Sequence, residues 1–376
     1  MKVYLDNAAT TPMAPEVLDV ITEAMKNHYG NPSSIHSHGR EVRTLIEEAR
    51  KSVAKHLNVT PAEIFFTSGG TEADNMVIRC SVEDLGIERI ISSPIEHHAV
   101  LHTAEELAKK GKIQFDLVKL KADGHVDLVD LESLLKSSDK KTLVSLMHAN
   151  NEIGNLLDLD AVAQLTQQYG ALFHSDTVQT MGHYRFDLQE TKVDFLAAAA
   201  HKFNGPKGVG FIYISNRNKL KPYITGGSQE RNMRAGTENV YGILGLAKAL
   251  DLAYASLDQK QEHIQGLKSY MMERLKAEVP GIKFNGDTEG RSLYTVLNVS
   301  FPPSAFSEMM LFKLDIEGIS ASGGSACSSG SDVGSHVLGA IGVEPGRANI
   351  RFSFSKYNTR EEIDYVVAKL KEMHQA

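Results

Sequence analysis

From Glu63 onward the chain alternates between short β-rich runs and longer stretches with helical spacing or helix caps. The runs are "EIFFTS", "RIISS", "FDLVKL", "TLVSLMH", "ALFHSD", "VDFLAAAA" and "GVGFIYIS". Alternation of this kind argues for βαβ units and a mainly parallel, doubly wound sheet. Ligands in such sheets bind outside the carboxyl ends of the strands. Chemistry is therefore expected in the short polar sets that follow the runs: "GGTEADN", "IEHHAV", "HANNEIG", "DTVQ" and "HKFNGPKG".

After a long helical region, roughly 240–278 with an expected break, the pattern changes. "YTVLNVSF", an apolar helix near "SEMMLFKLDIEG", "ANIRFSFS" and a closing helix "REEIDYVVAKLKEMHQA" read as a smaller α+β domain. The 376 residues are enough for two domains with real cores. A formal net charge of -7 argues against nucleic acid as the main partner, since phosphate neutralisation needs a basic excess. The chain shows no apolar run long enough to span a bilayer, and "MKVYLDNAATTP" lacks the layout of a signal peptide, so a cytoplasmic location without membrane association is expected. The two cysteines, Cys80 and Cys327, suggest neither a disulfide framework nor a C-x-x-C motif.

The polar sets narrow the chemistry. In "SGGTEADN" a strand meets glycines and then a helix, so the backbone can approach an anion and the helix N-terminus supplies N–H donors. Taken alone, the motif is equally a helix with a Gly-rich entry and a Thr cap. No Walker A loop or G-x-G-x-x-G fingerprint follows a strand, which lowers the weight of nucleotide readings. Asp176 and Lys202 follow two neighbouring strands and can present a carboxylate and an amine to one cleft. A phosphate cradle, an amine and a carboxylate together suit pyridoxal phosphate, which uses a lysine Schiff base and an acidic partner for its ring nitrogen. Gln179 is placed to reach the phenolic oxygen, and His97 to stack on the ring. A zinc reading of "EHHAVLH", with His98 and His102 four apart, lacks a third ligand and the glutamate of H-E-x-x-H, so no metal is expected.

One stretch, "SASGGSACSSGS", sets Cys327 among small polar residues, an unusual place for a residue type that is ordinarily buried. With it, the motifs "YLDNAATTP", "NPSSIHSHGR", "SGGTEADN", "EHHAVL", "MHANNEIG", "HSDTVQ", "HKFNGPKG", "GGSQERNMRAGTEN" and "ANIRFS" occur in an order that resembles the cysteine desulfurases of the class V aminotransferase fold family, nearly end to end. The resemblance implies fold type I of the pyridoxal phosphate enzymes. A large cofactor-binding domain would span 15–255, and a small domain would comprise 1–14 and 256–376 and carry the cysteine loop. It implies conversion of L-cysteine to L-alanine, with the sulfur taken up by Cys327 as a persulfide and passed to an acceptor protein. Selenocysteine lyase and aminotransferase are the alternative activities on the same fold.

Carried over by position, the resemblance makes Lys202 the cofactor lysine, Asp176 the pyridinium partner, Gln179 the phenolic contact and His97 the stacking residue. Gly70, Thr71 and His201 fall at the phosphate, Asn151 and Arg351 at the substrate carboxylate, and Thr237 reaches the phosphate of the other subunit of a homodimer. A Ser/Gly setting suits a thiol that must meet a substrate and then travel to a partner. The loop resembles the longer group I type. Departures from the family pattern are Ala199, where a serine commonly helps hold the phosphate, and Ser228 and Asn232, where glycine is common. Few residues follow the last helix, so docking of an iron–sulfur scaffold through a C-terminal tail is not expected.

Overall fold

The computed structural model describes residues 1–304, 307–323 and 334–375. The strands are β1 (Val3–Tyr4), β2 (Ile64–Thr67), β3 (Arg89–Ser92), β4 (Gln114–Leu117), β5 (Thr142–Ser145), β6 (Leu172–Asp176), β7 (Phe195–Ala199), β8 (Gly210–Ile214), β9 (Lys283–Asn285), β10 (Val296–Phe301), β11 (Ile319–Ser320) and β12 (Ala348–Ser353). All seven β-rich runs form strands of one sheet, in the order β2-β8-β7-β6-β5-β3-β4. β3 to β7 pair in parallel, whereas β8 runs antiparallel to both β7 and β2. The reason is the short link 200–209 between β7 and β8, since a parallel crossover takes a dozen or more residues.

Successive strand residues point to opposite faces. Phe66, Ile91, Val144, Phe173, Leu196 and Phe211 pack into one apolar cluster, and their neighbours Phe65, Ile90, Leu143, Phe195, Ala197 and Ile212 into another. Both faces are thus covered, which is why these strands read as nearly continuous apolar runs. The Gly70–Leu85 and His98–Lys109 helices cover the second face, and Ser37–His56 and Val240–Ala255 are among those on the first.

A third cluster lies away from this sheet. The antiparallel sheet β12-β10-β9 packs Leu297, Val299, Ile350 and Phe352 against the helices Leu257–Glu278 and Arg360–Gln375. Val3 and Leu5 join it, because β1 pairs with β11 in parallel. The helical region 240–278 breaks at Ser256 with a bend of 75°. Its first half buries Ile243, Leu246 and Leu250 on the large sheet, and its second half buries Ile264, Leu267 and Met271 on the small one. Among the described residues no single helix is long and apolar enough to cross a membrane.

The segment "GGSQERNMRAGT" takes an unusual path. Glu230, Arg231 and Asn232 have φ of 46°, 56° and 64°, the left-handed region that favours glycine. Asn232, where the family pattern has glycine, is the residue type that tolerates this region best, and Ser228 stays at a negative φ. The turn is held by Glu230, which is buried and accepts from Arg50 Nη1 at 2.8 Å, Arg50 Nη2 at 2.9 Å and the Phe66 amide at 2.8 Å. If this partner is lost, Arg50 keeps the half-buried Glu47, the Ile64 carbonyl and the face of the Phe66 ring. Removing one member of a buried pair leaves an uncompensated charge, so Glu230→Ala is expected to cost about 3 kcal/mol. The check is the urea midpoint, and an unchanged midpoint would refute the role of this pair.

Candidate active site

The carboxyl ends of the parallel strands converge on a cavity of about 250 Å³. From β2 the chain turns through Gly69 into the Gly70–Leu85 helix, from β3 it reaches His97, and from β6 it presents Asp176 and Gln179. β7 leads into a short 3-10 turn, Ala200–Lys202. Gly70, Thr71, His97, Asn151, Asp176, Gln179, His201, Lys202 and Arg351, all singled out in the sequence, line this one cavity. Thr237 does not. It is exposed and borders a separate cavity of about 210 Å³ with Ser68, Gly208 and Glu230. Cys327 lies outside the described residues. Cys80 is buried, its thiol pushed up to about 12 by burial and by the carboxylates of Asp84 and Glu83, so it offers no ready thiolate.

At the β2 end the backbone approach is tight. A Cβ on Gly70 would lie 2.5 Å from Val178 Cγ2, so any side chain there would have to displace Val178 where the helix N-terminus faces the cavity. The free N–H groups of that first turn are a ready anion site. Ala199 is buried beside it, and His201 Nδ1 lies 3.2 Å from Thr10 Oγ1. Burial and the cations Lys202 and Lys207 lower the His201 pKa to about 4, so the ring is neutral at pH 7.

The lysine is held by the N-terminal segment. Lys202 Nζ donates to the carbonyls of Ala8 at 2.6 Å and Ala9 at 2.8 Å, and Gln179 Nε2 donates to the same Ala8 oxygen at 3.0 Å. Thr11 closes the arrangement through its amide and hydroxyl, both donating to the His201 carbonyl at 2.9 Å. The N-terminal segment thus runs from its pairing with β11 directly across the amine.

Across the cavity the carboxylates are crowded. Asp176 is buried and accepts from the Val178 amide at 2.8 Å; burial raises its pKa, while His97 and Lys202 draw it down. Asp74, one turn into the Gly70–Leu85 helix, is buried as well, and ligand atoms of Asp74, His97 and Asp176 all lie within 4.8 Å of one another. Burial, with Asp176 and Glu96 close by, holds Asp74 well above the usual carboxylate range. Two carboxylates this close do not both ionise at neutral pH, and Asp74, which lacks a cationic partner, keeps the proton. His174 stands behind it: its Nε2 is 3.4 Å from Asp74 Oδ1, its Nδ1 is 2.8 Å from Ser145 Oγ, and burial takes its pKa down to about 3. The sequence reading passed over Asp74. The available signal was a carboxylate on the helix stripe that also carries the buried residues Gly70, Ala73 and Val77.

Arg351, on β12, reaches the same cavity from the small sheet, with 1% of its surface exposed. Nη1 donates to the Asn151 carbonyl at 2.9 Å and Nη2 to Asp6 Oδ1 at 2.8 Å, which fixes the plane of the guanidinium. Nε is buried without a partner among the described residues. A buried donor left unmet costs about 1–3 kcal/mol. The residues fit pyridoxal phosphate and an amino acid: a helix N-terminus for the phosphate, an amine for the aldehyde, a buried carboxylate for the ring nitrogen and a guanidinium for a carboxylate.

The aminotransferase class-V family model matches residues 3–366. The cysteine desulfurase IscS of Dictyoglomus turgidum is 44% identical over 372 residues, covering 97% of this chain and 93% of that protein. The putative cysteine desulfurase IscS 1 of Bacillus subtilis is 43% identical over 370 residues, covering 96% of each. Among solved structures, a NifS-like protein superposes with a TM-score of 0.92 at 38% identity, and the NifS-like protein of Rickettsia africae with 0.89 at 31%; each comparison covers 100% of both chains. With residues 3–366 matched by the family model and relatives aligned over nearly the whole chain, this chain belongs to the class-V aminotransferase family, among relatives that are named cysteine desulfurases.

Proposed function

We infer that the protein is a pyridoxal phosphate-dependent cysteine desulfurase. The observation that carries this reading is the meeting of Lys202, Asp176 and the buried Arg351 in one cavity. The full-length likeness to relatives named cysteine desulfurase supports it. L-Cysteine and the Cys327 thiol become L-alanine and a Cys327 persulfide: the substrate C–S bond breaks, an S–S bond forms, and the thiol proton balances the hydrogen gained by carbon.

When bound, the cofactor supplies an aldehyde that links to amines and a protonated ring that accepts electrons released at the substrate Cα. Lys202 would carry it, then take up the Cα proton through the Nζ that the Ala8 and Ala9 carbonyls hold in place. Asp176 would keep the ring nitrogen protonated, and the neutral Asp74 beside it would supply no second charge. Gln179 would bond the phenolic oxygen, His97 would cover the ring, and Gly70, Thr71 and His201 would hold the phosphate. Arg351 and Asn151 would orient the substrate carboxylate from the wall of the cavity that both line. In this reading residues 15–255 hold the cofactor, while 1–14 and 256–376 supply Arg351 and Cys327.

A homodimer fits the same reading. Thr237 is exposed and borders a different cavity from its own Lys202, as expected of a residue serving a second copy, and Leu18, Met25, Tyr29 and Ile35, close to one another in sequence, are apolar side chains left exposed. The acceptor would be a cytoplasmic protein that takes sulfur from Cys327 for iron–sulfur assembly or thiolation.

The direct test is a single turnover with L-cysteine in the absence of reductant, measuring alanine and the mass of the peptide that contains Cys327. One alanine and one added sulfur per chain are expected, and holoenzyme that yields neither would overturn the reading. Cys327→Ala should keep bound cofactor and lose sulfur transfer by at least a hundredfold. Ala199→Ser should restore a bond to a charged acceptor worth roughly 1.5–3 kcal/mol, read as at least tenfold slower cofactor loss on dilution; equal retention would mean that the phosphate is already satisfied.

Asp74 makes a separate prediction. Its folded pKa is raised above the unfolded value, so the native state binds more protons and stability declines as pH rises through that window. Asp74→Asn removes this dependence. The variant should match the native protein near pH 4, exceed it in urea stability at pH 8, and retain turnover. A variant that is less stable at pH 8 would show that Asp74 is ionised and paired.

A further inference from the structure

Three histidines meet beside the cavity, and the proposed reaction uses none of them. His98 begins the His98–Lys109 helix and His102 follows one turn later on the same side. Their rings lie nearly parallel, 10° apart with centroids at 4.5 Å. His336, which begins the His336–Ala340 helix, brings its ring to the same 4.5 Å from His98. His98 Nε2 and His336 Nδ1 are 3.2 Å apart. The sequence reading set a metal aside because "EHHAVLH" lacked a third ligand, and the fold brings one from far along the chain.

The position of His336 is set by its surroundings. Ser335 Oγ donates to Glu152 Oε2 at 2.5 Å and accepts from the Leu338 amide at 3.1 Å, which caps the short helix. Val337 and Leu338 pack with Ile95 and Ile153 on the large-sheet side. His336 Nε2 lies 2.9 Å from the Glu96 carbonyl oxygen and so donates to it. That fixes the tautomer, leaving the Nδ1 lone pair directed at His98. A backbone carbonyl on the far ring nitrogen is the usual support of a metal-bound imidazole. Burial and the neighbouring histidines lower the pKa of His98, which favours the neutral form that binds metal.

Two zinc–nitrogen bonds of about 2.0–2.1 Å in a tetrahedral site place the nitrogens about 3.3 Å apart, close to the separation seen here. Histidines at i and i+4 on one helix are a recurrent metal pair. His102 is exposed, so a rotation of its side chain can direct a nitrogen to the other two without disturbing the core. We propose that His98, His102 and His336 form a site for one divalent transition metal ion of the zinc class, open at its fourth position. The ion replaces the proton shared by His98 and His336, and it ties the helix that begins next to His97 to the helix that begins at His336. This inference stands independently of the reaction proposed above.

The test is a titration of metal-free holoenzyme with Zn²⁺ against a chromophoric chelator, in a Cys327→Ser background so that the thiol contributes nothing. One ion per chain is expected, with X-ray absorption reporting three imidazole nitrogens. His336→Ala and His98→Ala should each weaken binding by roughly a hundredfold, and His102→Ala by roughly tenfold, with fold integrity read from circular dichroism and cofactor absorption. His102 is exposed, so its variant remains informative if either of the others fails to fold. Stoichiometric binding that disappears in the Cys327→Ser background, or that survives in the triple histidine variant, would overturn the proposal.

Discussion

The buried guanidinium of Arg351 is the junction on which the site depends. It bonds Asp6 from the N-terminal segment and the Asn151 carbonyl from the loop after β5, while its own strand, β12, belongs to the small sheet. A charge this deep is tolerable only when its donors are met, and the two that are met come from stretches that lie far apart in the chain. The residue also lines the cavity, where a ligand carboxylate can meet its remaining N–H groups. Satisfying the arginine therefore demands that the small sheet, the N-terminal segment and the end of the large sheet adopt one relative position.

The N-terminal segment works in the same way on the lysine. Asn7 Nδ2 donates to the Ser353 carbonyl at 2.8 Å, the next two residues offer carbonyls to Lys202, and Thr11 bonds the His201 carbonyl. A few residues with no long strand or helix of their own thus link both sheets to the amine. In the opposite wall Asp74, with His174 behind it, is kept neutral by burial, which leaves Asp176 as the carboxylate that faces His97 and Lys202. The functional charge is selected by which buried group has a cation near it.

Much of this was legible in the sequence, for identifiable reasons. The seven strands of the large sheet could be read because both faces are covered and the runs are correspondingly apolar. The residues after them could be read because parallel strands end at one edge. The reversal of β8 was legible only in the short link 200–209, and the expectation of a mainly parallel sheet did not use it. Asp74 and His174 escaped because a buried carboxylate and a neutral imidazole look the same in sequence as solvated ones. His336 escaped because nothing local connects it to His98, and Cys327 lies outside the described residues.

By itself the sequence determined the seven strands of the large sheet, the break in the helical region 240–278, the Gly70 helix entry and the residue types needed for a lysine, a carboxylate and a guanidinium to act on one ligand. These are local properties, set by periodicity, caps and backbone freedom. Only the tertiary structure decided that Arg351 turns to Asp6, that Asp74 crowds Asp176, that Glu230 holds three residues in the left-handed region against Arg50, and that His336 meets His98. Each of these depends on removing charged or polar groups from water beside a partner distant in the chain. Desolvation is a property of the packed whole, and no local pattern encodes it.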